Sequence, residues 1–193
     1  MADDHQSSSA LQVSFSLRVP DGDTLAREVC ETCGFINYVN PKIVAGAVVH
    51  HDGRILMCKR AIEPRRGFWT IPAGFMEQNE TAEAAACREA REEACADIVL
   101  EGLLAVYSIP RISQVQLIYK ASLAEAQFAA GPESLEVALL SLDDVPWQTL
   151  AFPSVHWALR HFEAVRGLTS FPPFTNPSGE TGDRMPAAVP PQK

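Results

Sequence analysis

The chain has 193 residues, enough for one domain of ordinary size with short flanks, and its 47% hydrophobic and 21% charged content is that of a globular protein. A formal net charge of −8 excludes a broad basic surface for gripping nucleic-acid backbone, but leaves room for a small anionic ligand if a cation neutralises it. No run reaches about 18 apolar residues, so no membrane span is expected; the start has no secretory pattern, and five cysteines, scattered after the first pair, fit a cytoplasmic protein.

Residues 1–12 carry Ser7-Ser8-Ser9 and little apolar content, and disorder is expected there. Residues 13–41 form a small irregular segment with Pro20-Asp21-Gly22-Asp23 and the pair Cys30 and Cys33, closed by the break Asn40-Pro41. The main domain is expected over residues 42–167. It opens with the β-branched run Ile43 to Val49, a buried strand. Asp52-Gly53 marks a hairpin turn, and Ile55 to Cys58 is the return strand. Phe68 to Ile71 is a short strand stopped by Pro72, and Ala73-Gly74-Phe75 reads as a loop. Thr81 to Ala94, rich in Ala, Glu and Arg without a breaker, is the clearest helix.

Ile98 to Ile109, Ile112 to Ala121 and Val137 to Leu142 read as further strands. Pro153 to Arg166 reads as a second helix, with Pro153 suited to its first turn. After Gly167 the composition shifts to Pro, Gly, Ser and Thr; residues 168–193 read as a Pro-rich tail, loose over residues 172–193. Strands around two helices predict an α+β class.

The stretch Gly74 to Ala96 carries the chemistry. Five residues separate Gly74 from Glu80, seven separate Glu80 from Arg88-Glu89, and Glu92-Glu93 follow. Glu89, Glu92 and Glu93 stand at i, i+3 and i+4, so a helix puts three carboxylates within roughly a 100° arc. Like charges at that spacing weaken a bare helix by a few tenths of a kcal/mol per pair, roughly. A divalent cation reverses the sign, because Mg²⁺ takes hard oxygen ligands and bridges to phosphates. A solvated acidic face would explain the triplet alone, but not Gly74, Glu80 and Arg88 in register with it.

This stretch resembles the Nudix box, G-x5-E-x7-R-E-U-x-E-E-x-G-U with U apolar. Six fixed positions match, against roughly 10⁻⁵ matches expected by chance in a chain of this composition. The resemblance covers about residues 41–166 and implies a Nudix α/β/α sandwich with a mixed sheet. It implies a pyrophosphatase using Mg²⁺ or Mn²⁺, with metal held by Glu89, Glu92, Glu93 and the Ala73 carbonyl. Arg88 would hold a carboxylate of the box, and Glu80 would support the turn into the helix. One departure stands at Cys95, where the family has glycine just past the helix; a left-handed backbone there costs a non-glycine residue about 1 kcal/mol.

Outside the box, Trp69 is expected in the core. Gly131-Pro132-Glu133-Ser134-Leu135-Glu136 resembles an acidic segment from which a glutamate reaches the metals, with Glu136 the first choice and Glu133 the second. Arg60, Arg65, Arg66, Arg111 and Gln114 are candidates for binding phosphates or nucleotide, and Tyr107 for stacking on a ring. Cys30-Glu31-Thr32-Cys33-Gly34 and Asn40-Pro41-Lys42 are similar to the subgroup with an N-terminal zinc ribbon, which includes NADH pyrophosphatase-like and FAD/ADP-ribose pyrophosphatase-like proteins. The upstream cysteine pair is missing, so the ribbon is degenerate and no structural zinc is expected from Cys30 and Cys33.

The resulting expectation is a homodimeric, cytoplasmic enzyme that binds neither nucleic acid nor membrane. It hydrolyses a nucleoside diphosphate linked to another group, of the FAD, ADP-ribose or NADH class. Two alternatives stay open: a nucleotide-sugar-sensing module that does not cut, and a house-cleaning enzyme acting on nucleoside triphosphates.

Overall fold

The computed structural model describes residues 13–186, and the expectation for residues 1–12 lies outside them. The described residues fall into two compact units that divide between Asn40 and Pro41. The first is a three-stranded antiparallel meander of β1 (Phe15–Arg18), β2 (Arg27–Cys30) and β3 (Ile36–Asn37). Its β1–β2 loop is fastened by the Asp23 carboxylate, which accepts from the Thr24 and Leu25 amides and from Arg27 Nε. Its β2–β3 turn is a tight knuckle in which Gly34 N donates to Cys30 O at 2.9 Å. Amides of Cys33 and Thr32 pull the Cys30 thiol below its ordinary pKa.

The second unit is built on a mixed sheet. Its strands are β4 (Lys42–His51), β5 (Arg54–Arg60), β6 (Trp69–Thr70), β7 (Ala73–Phe75), β8 (Ile98–Ile109), β9 (Gln114–Leu123) and β10 (Ser134–Leu140). The main order is β10-β5-β4-β9-β8, with β6 on β5 and β7 on β4. Among these strands, β4 and β9 are the one parallel pair. Helix α1 (Ala82–Ala94) and helix α2 (Pro153–Val165) serve its two faces.

Strand alternation explains the two cores. Val48, Ile55, Met57 and Ile118 point to the face where α2 brings Trp157, Leu159 and Phe162. Their neighbours Ala47, Val49, Leu56 and Cys58 point the other way, onto Ala85, Ala86 and Ala94 of α1. β4 is covered on both sides, hence its unbroken apolar run. Small α1 residues let that helix lie close against the sheet.

The hairpin forms as its turn residues require, with Asp52 at φ 46° and Gly53 at φ 76° between β4 and β5. Thr81 caps α1, its hydroxyl accepting from Ala84 N at 3.1 Å. Cys95 adopts the left-handed conformation, φ 47° and ψ 33°, that its place just past the helix demands. Two expectations need correction. Ala73-Gly74-Phe75 is a strand, because its backbone pairs with Val44, Ala45 and Gly46 of β4.

The other is the tail, which is held against the sheet and not loose where it is described. Among the described residues after 168, Phe174 pairs with Ala105 of β8, and Asn176 and Asp183 are bonded to Ser108 and Arg111. The reason is the free edge of β8, which offers unpaired backbone groups to any segment that reaches it.

Candidate active site

One face of α1, strand β7, the start of α2 and the ends of β5, β8 and β9 line a cavity of about 570 Å³. Glu89, Glu92 and Glu93 all line it, as the helical spacing requires, and so do Ala73 and Gly74. Their environments differ. Glu93 is buried, and its carboxylate accepts from Ala73 N at 3.1 Å. Burial, reinforced by the charge of Glu89 and opposed by that amide, pushes its pKa up to about 8. Glu89 is also buried and raised by desolvation, with Arg88 working against it. The side chain of Glu92 is largely exposed.

Arg88 organises the box. It donates from Nε and Nη2 to both oxygens of Glu80, at 3.1 and 2.8 Å. Nη1 reaches Glu89 at 2.8 Å and Glu92 at 2.7 Å, and Nη2 also reaches the Phe75 carbonyl. The pairing lowers the Glu80 pKa and raises that of Arg88. Glu80 Oε1 in turn accepts from Glu77 N at 2.6 Å, which closes the loop between β7 and α1. Arg88 and Glu80 thus hold the loop, while Arg88 restrains two of the three box glutamates.

A fourth carboxylate enters from elsewhere. Gly131 N donates to Glu93 O, and Ala61 N donates to Glu133 O, so the loop before β10 is tied to the end of α1 and to β5. A Cβ at Gly131 would overlap the Glu92 carbonyl, so only glycine allows this approach. Glu133 consequently lines the cavity. Glu136, the first choice from sequence, does not: it lies on β10, exposed, paired with Lys59 at 3.4 Å. The bulge between Ser134 and Glu136 accompanies this shift in register.

The basic candidates divide similarly. Arg60 and Arg111 line the cavity. Arg60 Nε donates to Pro64 O, and its guanidinium lies 5.3 Å from the Phe152 ring centre. Arg111 Nε is 3.1 Å from Asp183. Arg65 and Arg66 are exposed residues outside the lining, with Arg65 over the Phe68 ring. Tyr107 is also outside it. It is fully buried, with its hydroxyl 2.7 Å from His161 Nδ1 and its ring edge-on to Trp157. Its full burial in the α2 core, against His161 and Trp157, keeps it from stacking on a ligand.

Trp69 packs partly buried against that same core, as expected. Gln114 lines the cavity together with Gln116, which sequence reasoning passed over although period-two alternation pairs them. Ser154 and Gly182 are further lining residues that carried no sequence signal.

The charged lining comprises six glutamates (Glu63, Glu77, Glu89, Glu92, Glu93, Glu133) and three arginines (Arg60, Arg88, Arg111). A diphosphate would be repelled from such a cavity without added positive charge. Among the described residues no group of three or more acidic, His or Cys side chains already stands in metal-holding geometry. The reason is visible: Glu89 and Glu92 lean on Arg88 while Glu93 leans on Ala73 N. The donors are nevertheless hard oxygens on one face of one cavity. Two are buried carboxylates whose ionised forms lack full compensation. That donor set fits a hard divalent cation.

The family model described as NUDIX domain matches residues 40–161, and the one described as Nudix N-terminal, a zinc-ribbon model, matches residues 13–39. A solved Nudix hydrolase from Nitrosomonas europaea is 43% identical, with a TM-score of 0.81, covering 87% of this chain and 97% of that one. An ADP-ribose pyrophosphatase from Methanocaldococcus jannaschii is 29% identical over 56% of this chain and 67% of its own length. A MutT-like protein from Streptomyces ambofaciens is 33% identical over 53% of this chain and 64% of its own length.

Proposed function

This chain belongs to the Nudix hydrolase family, and we propose that it hydrolyses a nucleoside diphosphate linked to a second group, of the ADP-ribose, FAD or NADH class, using Mg²⁺ or Mn²⁺. The observation that carries this reading is the convergence of Glu89, Glu92, Glu93 and Glu133 on a single cavity with the Ala73 backbone. The similarity to an ADP-ribose pyrophosphatase adds weight to the diphosphate class.

Those four carboxylates and the Ala73 carbonyl would hold the divalent cation. When bound, it supplies charge neutralisation at the diphosphate and polarisation of a phosphoryl oxygen. Arg88 keeps Glu89 and Glu92 from splaying apart. Arg60 faces the cavity as a cation for the charge that develops on the phosphoryl oxygens. Water attacks one phosphorus, the bridging P–O bond breaks, and a box glutamate takes the proton. The products are a nucleoside monophosphate and the phosphorylated remainder. The intact acid set of the box favours cutting over sensing.

Chromatography of products from ADP-ribose, FAD, NADH and modified deoxynucleoside triphosphates, with and without Mg²⁺, tests the reading. Glu93→Gln is expected to lower turnover about 10³-fold while the protein stays folded. Unchanged turnover in that variant rejects the assignment. Mg²⁺-dependent binding without products would favour the sensing module instead.

A further inference from the structure

β8 is the terminal strand of the sheet, and the chain after α2 returns along its free edge. The return begins at the buried Lys120, whose Nζ donates to Leu168 O at 2.9 Å and lies 5.7 Å from the Phe171 ring centre. Phe174 then adds to the edge like a strand residue: its N donates to Leu104 O, and its O accepts from Val106 N. The Phe174 ring stacks on His161 at 4.1 Å.

Two residues on, the Asn176 side chain replaces backbone pairing. Its Oδ1 accepts from Ser108 N at 2.9 Å, and its Nδ2 donates to Ser108 O at 2.8 Å. The same Nδ2 fastens Glu180 O, so the following turn is held as well. This turn delivers Gly182 against Ile109 and Trp157, and Asp183 to Arg111. Thr181 Oγ1 donates to the other oxygen of Asp183 at 2.6 Å. Gly182 is buried and lines the cavity with Ile109, Arg111, Ile112, Phe152 and Val155. These neighbours are largely apolar, unlike the acidic lining from α1.

We propose that residues 174–183 form a specificity wall of the substrate cavity, meeting one of the organic groups that flank the diphosphate. Gly182 sets the depth left for that group, and the Asp183–Arg111 ion pair fixes the wall's position. A Cβ at Gly182 would come within 2.7 Å of Ile109 Cδ1, on a backbone at φ 80° that favours glycine, so even a methyl group disturbs this part of the lining. Loss of the Asp183 carboxylate frees both the end of the wall and Arg111. This inference rests on the diphosphate-hydrolase reading above and adds to it the element that selects the substrate.

The test is kcat/KM for ADP-ribose, FAD and guanosine diphosphate ribose in wild type, Asp183→Ala and Gly182→Ala. The first two substrates share the base, and the first and third share the second group. All three carry the same diphosphate, so a general change in cavity charge cancels in their ratios. Asp183→Ala is expected to shift at least one ratio by about fivefold toward the bulkier group, mainly through KM. Gly182→Ala is expected to shift the same ratio the other way. Asp183 belongs to an exposed ion pair, so Asp183→Ala folds and decides the matter even if the glycine variant does not. Ratios constant within about twofold in an active enzyme overturn the wall and leave the diphosphate-hydrolase reading standing. Wild type inactive on every diphosphate overturns both.

Discussion

A Cβ placed on Gly74 would overlap the carboxylate of Glu89. The first residue of the box motif and its first helical acid are therefore one packing unit, although fourteen residues separate them. Gly74 sits on β7 with unstrained backbone, so its role is to leave room rather than to turn the chain. Gly74→Ala is expected to push Glu89 out of the cavity by about 1 Å or more and to cut kcat on the order of 10²-fold. Steady-state kinetics beside a far-ultraviolet circular dichroism spectrum checks this; a variant with wild-type kcat would show that Glu89 does not need its place over Gly74.

The loop before β10 yields a second expectation. Glu133 lines the cavity, whereas Glu136 is exposed and joined to Lys59. Glu133→Gln is expected to lower kcat by about 10-fold or more, and Glu136→Gln to leave it within about twofold. Titrating Mg²⁺ in both variants separates the cases, because only Glu133→Gln is expected to need more metal. The opposite ranking would restore Glu136 to the site.

Much of this site is legible from local pattern alone. The carboxylates of α1 follow from helical period, and the helix itself from its composition and Thr81. What escapes local reading depends on distant partners. β7 is a strand because β4 lies beside it, and residues 174–183 are held because β8 has a free edge that Asn176 can pair with in place of a strand's backbone. Tyr107 misleads for a related reason: its type suits a ligand, but His161 and Trp157 of α2, distant in sequence, enclose it in the core. The choice between Glu133 and Glu136 turns on a bulge that residue spacing does not reveal.

Cys95 offers a stability test that leaves the chemistry alone. It is exposed and held at φ 47°, where its Cβ crowds the backbone, and its N–H closes the helix onto Arg91 O at 3.0 Å. Glycine keeps that bond without the strain. Cys95→Gly is expected to stabilise the protein by about 1 kcal/mol. Urea denaturation measures this directly, and an unchanged or lower midpoint at constant slope would contradict it.

His156 gives the fold a pH dependence of predictable sign. The residue is buried in α2, 5.7 Å from the Trp147 ring centre, and among the described residues neither ring nitrogen has a hydrogen-bond partner. Burial, helped by the charge of Arg160, pushes its pKa down from 6.5 to about 4. The unfolded chain therefore takes up a proton near pH 6.5, while the folded protein resists until about pH 4. The neutral ring's contribution is fully present above pH 6.5 and is lost as pH falls through that window. The shift corresponds to about 3 kcal/mol between the two limits. Removing the titration and the two unpartnered nitrogens together should both flatten the curve and raise it. His156→Met, of similar bulk, is expected to gain about 1 kcal/mol at pH 7 and considerably more, relative to wild type, at pH 4.5. Thermal melts of both proteins from pH 4.5 to 8 check this. Parallel curves would show that acid sensitivity arises elsewhere, and a variant less stable at every pH would show that the imidazole finds a partner in solution.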